Sequence, residues 1–224
     1  IDIIKEYNPD LLLLRQVDME TTRANKVDRP KEVATATGMK YFFAKAFDYQ
    51  GGGYGNAVLS KFPIEETLDL ALEGIAPPAG TNAQEVRSMA MITVKIDEFN
   101  KLVFAGTELD ATATDEKHRA KQVNEILAVT KSQTIPVIFG GNFNFNTLTN
   151  GAVYNSIKEQ FTFGCWGTGC PLNSPKAAPT GIYDFITYKS ANDRITVANY
   201  TTLSKTTSAF LPIVAELKLV LLDK

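Results

Sequence analysis

The chain has 224 residues, 44% of them hydrophobic, with one histidine, two cysteines and a formal net charge of −2. That length and apolar fraction suffice for one sizeable core, so a single domain over residues 1–224 is expected. The near-neutral balance argues against a broad electrostatic grip on nucleic acid, and no apolar run reaches the length of a bilayer span.

The chain opens on Ile1-Asp-Ile-Ile, which reads as the middle of a helix ended by Asn8-Pro9. With no initiator Met and no signal peptide in the given chain, an N-terminal piece is expected to be missing. Asp10 to Val17 reads as a strand, apolar on both faces until Arg15. A polar loop, Asp18 to Asp28, holds Thr21, Thr22 and Arg23. A helix then begins at Pro30 and is capped by Gly38. Lys40 to Tyr49 is an aromatic strand, Gln50 to Gly55 a turn, and Asn56 to Phe62 the next strand. Glu65 to Thr81, with Pro77-Pro78 and Gly80, reads as a loop. From Glu85 to Asp97, Ala90, Ile92, Val94 and Ile96 share one face of a strand. Glu98-Phe-Asn100 turns it into a hairpin partner, Lys101 to Thr107.

Thr114 is placed to cap a helix, with Asp115 and Glu116 in its first turn. Ala120, Val123, Leu127 and Thr130 form its apolar stripe. His118 lies off that stripe and is expected on the solvated surface. Ile135 to Phe139 reads as a buried strand stopped by two glycines, Gly140 and Gly141. A short helix near Ala152 to Lys158 follows, then strands at Tyr183 to Tyr188, Arg194 to Thr202 and Ile213 to Leu222. Cys165 and Cys170 flank Trp-Gly-Thr-Gly. A short-loop disulfide, which would suit an exported protein, and two reduced thiols stay open as alternatives. Two cysteines and one histidine argue against a zinc site. About ten short strands with few helices suggest two packed sheets with helices outside.

Seven blocks, in order, carry a resemblance. Pro9-Asp10 to Asp18 is similar to a pattern Pro-Asp-…-Leu-Gln-Glu-Val-Asp. Tyr54-Gly-Asn-Ala-Val-Leu-Ser60 is similar to Tyr-Gly-Asn-Ala-Ile-Leu-Ser. Glu85-Val-Arg87 resembles a Glu-x-Arg before a central strand, and Gly106-Thr-Glu-Leu-Asp110 sits where Thr-His-Leu-Asp is written. Gly141-Asn-Phe-Asn144 resembles Gly-Asp-Phe-Asn, and Tyr183-Asp-Phe-Ile186 resembles Asp-Tyr-Ile-Phe. Ser208-Ala-Phe-Leu-Pro-Ile213 falls on Ser-Asp-His-Leu-Pro-Val. These are the motifs of the endonuclease/exonuclease/phosphatase family. The resemblance implies a DNase I-like α/β fold, a two-layer β-sandwich flanked by helices, with the first strand apparently missing. It also implies Mg²⁺-dependent phosphoester hydrolysis in the family. There carboxylates hold the metal, an Asp activates water, and His helps to steady the charge on the phosphoryl group.

The departures are as ordered as the matches. The position of the metal-binding Glu falls on Gln16, that of the base on Asn142, that of the mid-chain His on Glu108, and the final Asp–His pair on Ala209 and Phe210. Asn144, Asp184 and Tyr54 survive, with Asn56 and Arg87 as supporting polar groups. Gln16 and Asp184 are the remaining metal positions, and with neutral amides they are expected to bind Mg²⁺ weakly or not at all. No cofactor is therefore expected, and hydrolysis is expected to be lost by natural decay or by deliberate redesign. In the redesign form, Phe143, Phe145, Phe210 and Trp166 make the cleft aromatic. Phe143 has the core as its alternative place. Glu108 then acts as a base on a flat small molecule, or instead pairs with Arg15 or Arg87 as a buried ion pair. Residual metal-dependent phosphodiesterase or phosphatase activity is a further alternative. So is a binding module, in which the edge left by the missing strand pairs with another chain or a second copy.

Overall fold

The computed structural model describes residues 1–72, 86–111, 116–145, 151–166 and 169–223. Pro77-Pro78, Gly80, Glu85, Thr114 and Asp115, singled out above, lie outside the described residues. Helix α1 (Asp2–Tyr7) leads into β1 (Leu11–Met19), α2 (Arg29–Thr37), β2 (Lys40–Tyr49), β3 (Gly52–Ser60) and β4 (Ile64–Leu72). Then follow β5 (Arg87–Lys95), β6 (Lys101–Glu108), α3 (Glu116–Lys131), β7 (Val137–Asn142), α4 (Ala152–Lys158), β8 (Thr162–Phe163), β9 (Asp184–Lys189), β10 (Ile195–Thr202) and β11 (Ile213–Leu219).

One sheet has the order β4-β5-β6-β7-β9-β8 and is mixed, because β6 and β7 run parallel. The parallel pair is joined through α3, the crossover such a pair needs. The facing layer contains two smaller sheets, β1-β3-β2 and β10-β11. On the outer face of the large sheet, α3 and α4 cover an aromatic core that includes Phe139, Phe143, Phe145, Tyr154, Phe161 and Phe185. Between the layers lie Val58, Ile92, Val94, Phe104 and Ile138. Beyond the second layer, α2 sets Ala34 against Leu12, Leu14 and Leu59. Local chemistry supports α2: the Asp28 carboxylate accepts the Lys31 N–H at 2.9 Å, Pro30 stands in the first turn, and Gly38 ends the helix at φ +70°.

Several sequence-based boundaries move. The run taken as a loop from Glu65 carries β4, in which exposed Thr67, Asp69 and Ala71 alternate with Leu68, Leu70 and Leu72 against β5. The glycine run taken wholly as a turn turns only at Gln50-Gly51, and Gly52 to Gly55 belong to β3. β5 is buried on both faces, because layers cover it from either side. His118 is buried, 5% exposed, instead of solvated. The packed face of α3 is wider than its apolar stripe and takes in Arg119 and Gln122, which reach the chain leaving β6.

Candidate functional site

Residues opposite one another on neighbouring strands share a face. Glu108 pairs in register with Asn142, and Asn142 with Asp184. The three side chains thus form a row across the ends of β6, β7 and β9, facing the second layer. Gly141 permits the close β6–β7 approach just before that end. Its φ is +149°, and a Cβ there would stand 1.9 Å from the Thr107 carbonyl oxygen.

The second layer supplies the rest through a bulge. Leu14 pairs with Ala57 and Val17 with Gly55, so Arg15 and Gln16 together oppose Asn56. Gln16 adopts φ +52°, and its N–H donates to Asn56 Oδ1 at 3.3 Å. The bulge carries both side chains to the acidic row. Arg15 donates through Nη1 to Glu108 Oε2 at 2.5 Å and pairs through Nη2 with Asp184 Oδ1 at 2.7 Å. Gln16 Nε2 donates to Glu108 Oε1 at 2.6 Å, and Arg87 Nη1 stands 3.7 Å from the same oxygen. Asn173 Nδ2 donates to Asp184 Oδ2, while its Oδ1 accepts the Tyr183 N–H. Two buried carboxylates thus meet two guanidinium groups. Burial raises both carboxyl pKa values above the ordinary range; Arg15 opposes this at each, with Arg87 acting on Glu108 and the Asn173 hydrogen bond on Asp184.

Other expected site residues are placed as follows. Asn142 Oδ1 accepts the Asn144 N–H at 2.8 Å, and Asn144 Nδ2 donates to the Leu109 carbonyl at 2.7 Å. Both amides therefore hold the turn after β7. Asn56 Nδ2 donates to the Ser88 carbonyl at 2.8 Å. Tyr54 lines a cavity of about 10 Å³ together with Gln16, Asn56, Arg87 and Glu108. That space suits about one water molecule, not an aromatic ring. Phe210 stands over the cluster, its ring 5.9 Å from the Arg15 guanidinium carbon. Two expected members are corrected. Phe145 lies in the core on the helix side of the sheet, stacked on Phe185 at 5.4 Å, because Phe185 and Asp184 point to opposite faces. Phe143 takes the core place left open for it. Trp166 is 62% exposed and stacks on Tyr154 and Lys158 at the outer helix layer.

Beside the cluster, Asp18 caps its own loop by accepting from Thr21 and Arg23, and Arg23 lies over the rings of Tyr49 and Tyr54. His118 Nε2 stands 3.4 Å from Asp110 Oδ2, and burial lowers its pKa although Asp110 opposes this. Asn173, fully buried on Asp184, was missed by sequence reasoning; nothing in Pro171-Leu-Asn-Ser-Pro175 distinguishes it from a loop residue. Cys165 and Cys170 form a disulfide. Among the described residues, no three His, Cys, Asp or Glu side chains gather as a metal would need, and no helix is long and apolar enough to cross a membrane.

A polar row at the strand ends of a helix-flanked β-sandwich is the framework of a DNase I-like protein. The model of the endonuclease/exonuclease/phosphatase family matches residues 1–192, and the chain belongs to that family. Among solved structures, an endonuclease/exonuclease/phosphatase family protein from Bacteroides thetaiotaomicron superposes with a TM-score of 0.77 at 17% identity, over 98% of this chain and 87% of that one. The human Nocturnin catalytic domain, solved with a bound sulfate anion, gives 0.74 at 17% identity, over 98% and 84%. A mannosyl-6-phosphatase, also from B. thetaiotaomicron, gives 0.73 at 16%, over 96% and 88%. At these identities the superpositions show the fold alone. No curated protein matches the chain by sequence.

Proposed function

We propose that this chain is a family member that has lost Mg²⁺-dependent phosphoester hydrolysis and keeps the scaffold for binding. One observation carries this reading: the Arg15 guanidinium sits between Glu108 and Asp184, at 2.5 and 2.7 Å. A hard divalent cation wants anionic oxygens that are free to turn toward it. Here both carboxylates already face a fixed positive charge in bidentate reach, and the neighbouring donors, Gln16 and Asn142, are neutral amides. The family pattern writes Gln-Glu where this chain has Arg15-Gln16, so the local charge moves by two units away from metal binding. These residues do not fit Mg²⁺. Asn142 cannot take a proton from water as an Asp would. Glu108, held by Arg15, Gln16 and Arg87, is not poised as a free base.

The test is hydrolysis of an aryl phosphodiester and an aryl phosphomonoester with excess Mg²⁺ and with a chelator. The native chain is expected to show no metal-dependent turnover. It is run beside a variant combining Arg15→Gln, Gln16→Glu, Asn142→Asp, Ala209→Asp and Phe210→His. Turnover by the native chain that the chelator abolishes would overturn the reading. Turnover by the variant alone supports it.

A further inference from the structure

Asp18 on β1 and Phe47 on β2 both pair in register with Tyr54 on β3, so the three side chains form one row. Tyr49 lies two residues beyond Phe47 on β2 and takes the same face. That face is the inner one, because Asn56, two residues from Tyr54, reaches Ser88 on β5. The row stands at the mouth of the Glu108 cavity, whose wall Tyr54 shares. The Phe47, Tyr49 and Tyr54 ring centres are 5.2–6.2 Å apart.

Arg23, from the loop after β1, is held on this row. Its N–H donates to Gln50 Oε1 at 2.9 Å, and its Nε donates to both Asp18 oxygens at 3.0 Å. Its guanidinium carbon stands 4.6 Å from the Tyr49 ring centre and 5.1 Å from that of Tyr54. Thr22 donates to the Gln50 carbonyl through its N–H at 3.1 Å and its hydroxyl at 2.9 Å, which pins the loop to the β2–β3 turn. The clamp uses the Nε of Arg23 alone. Among the described residues neither Nη group has a partner, and the side chain is 45% exposed. Arg15 differs, since both of its Nη groups are taken by carboxylates.

A guanidinium edge with two parallel donors matches two oxygens of a phosphate or a carboxylate. Here Asp18 sits at the Nε side and leaves the Nη edge open. The plane is already fixed by the rings and by Asp18, so little side-chain freedom remains to be lost on binding. Phe47 is partly exposed, and among the described residues no cation lies over it, so its ring is open to a flat group beside the fork.

We infer that Arg23 receives the oxyanion, phosphate or carboxylate, of a small molecule whose flat ring stacks on Phe47 at the rim of the cleft. This names a ligand class for the binding role proposed above and rests on that reading.

The test titrates the 224-residue chain with phenyl phosphate, benzoate and inorganic phosphate, with a chelator present. Arginine Nε–H signals of the ¹⁵N-labelled chain are followed by NMR. The Arg23 signal is expected to move and to saturate with phenyl phosphate or benzoate at a Kd below about 1 mM. Tighter binding of the first puts a phosphate in the fork, and tighter binding of the second a carboxylate. Inorganic phosphate, which has no ring to stack, is expected to bind about tenfold more weakly. Arg23→Lys keeps the charge and loses the fork; it is expected to weaken binding about tenfold or more, with Tm within about 2 °C of the native chain. Phe47→Leu is expected to erase the advantage over inorganic phosphate while inorganic phosphate itself binds as before. No saturation by either organic anion at about 10 mM overturns the inference. So does unchanged affinity in Arg23→Lys, equal affinity for inorganic phosphate, or a response confined to the Arg15 and Arg87 signals. Turnover of phenyl phosphate is measured separately with excess Mg²⁺, so failure of the hydrolysis reading and failure of this site are told apart.

Discussion

Arg15→Met removes the positive charge from the centre of the cluster while keeping most of the stem's volume. Glu108 and Asp184 then face each other's charge with Arg87 alone, 3.7 Å from Glu108. Removing one partner of a buried ion pair costs about 3–5 kcal/mol. The Arg15 side chain is 20% exposed, so water reaches one side and the lower figure applies. At about 2.1 cal/mol/K per residue, 224 residues give an unfolding entropy of ~0.5 kcal/mol/K, and about 3 kcal/mol lowers Tm by ~6 °C. The loss depends on pH. Both carboxyl groups already have folded pKa values above their unfolded ones of 4.5 and 3.8, chiefly through burial. A carboxyl raised in this way binds more protons when folded, so its contribution is greatest below the unfolded value and is lost as pH rises through the folded one. Removing Arg15 raises both groups further. Melts followed by circular dichroism are therefore expected to show a small deficit at pH 5 and the full deficit at pH 8. Adding Glu108→Gln, which needs no counter-charge, is expected to restore part of the loss at pH 8. A Tm drop below 2 °C at pH 8, or a larger drop at pH 5, would refute the reasoning.

Gly141→Ala places a Cβ 1.9 Å from the Thr107 oxygen, at a backbone conformation L side chains rarely adopt, and is expected to cost about 3 kcal/mol or to abolish soluble expression. Wild-type stability and yield in that variant would sink the account of the β6–β7 contact. Reducing the Cys165–Cys170 bond opens a loop whose closure is worth about 2 kcal/mol. A phosphine reductant is expected to lower Tm by about 4–5 °C; an unchanged Tm, with the thiols titrated as free, would show that this loop is ordered without it.

What the sequence made legible follows from how local the determining physics is. The sequence marked β2, β6 and α4 closely, and β11 at its start, although that strand ends at Leu219 and not at Leu222. β4 escaped, since Glu65, Glu66 and Asp69 read as loop until β5 supplies the partner strand. His118 and Phe145 were misplaced for a related reason: which side of a helix or sheet a residue meets is set by the next layer, not by its neighbours in the chain. The row Glu108–Asn142–Asp184 came from ordered motifs. Asn173 came from none, because its role rests on a long-range contact with Asp184.

Two departures from the family pattern, distant in the chain, meet in the structure and explain one another. Arg15 stands where the pattern has Gln, and Glu108 where it has His; in the structure they meet at 2.5 Å. A lone Arg15 beside a histidine would have only Asp184 to neutralise it. A lone Glu108 beside the glutamine of the pattern would put a second carboxylate against Asp184 with only Arg87 to offset the pair. Together they leave two negative and two positive groups under one roof, with Phe210 laid over Arg15. Each of the two side chains thus supplies the counter-charge that the other needs. A double-mutant cycle decides this. Arg15→Gln and Glu108→His are each expected to destabilise the chain, and their combination to cost about 1.5–3 kcal/mol less than the sum of the two. Costs that add within about 0.5 kcal/mol would mean the two side chains do not offset each other, and this account of the pair would fall.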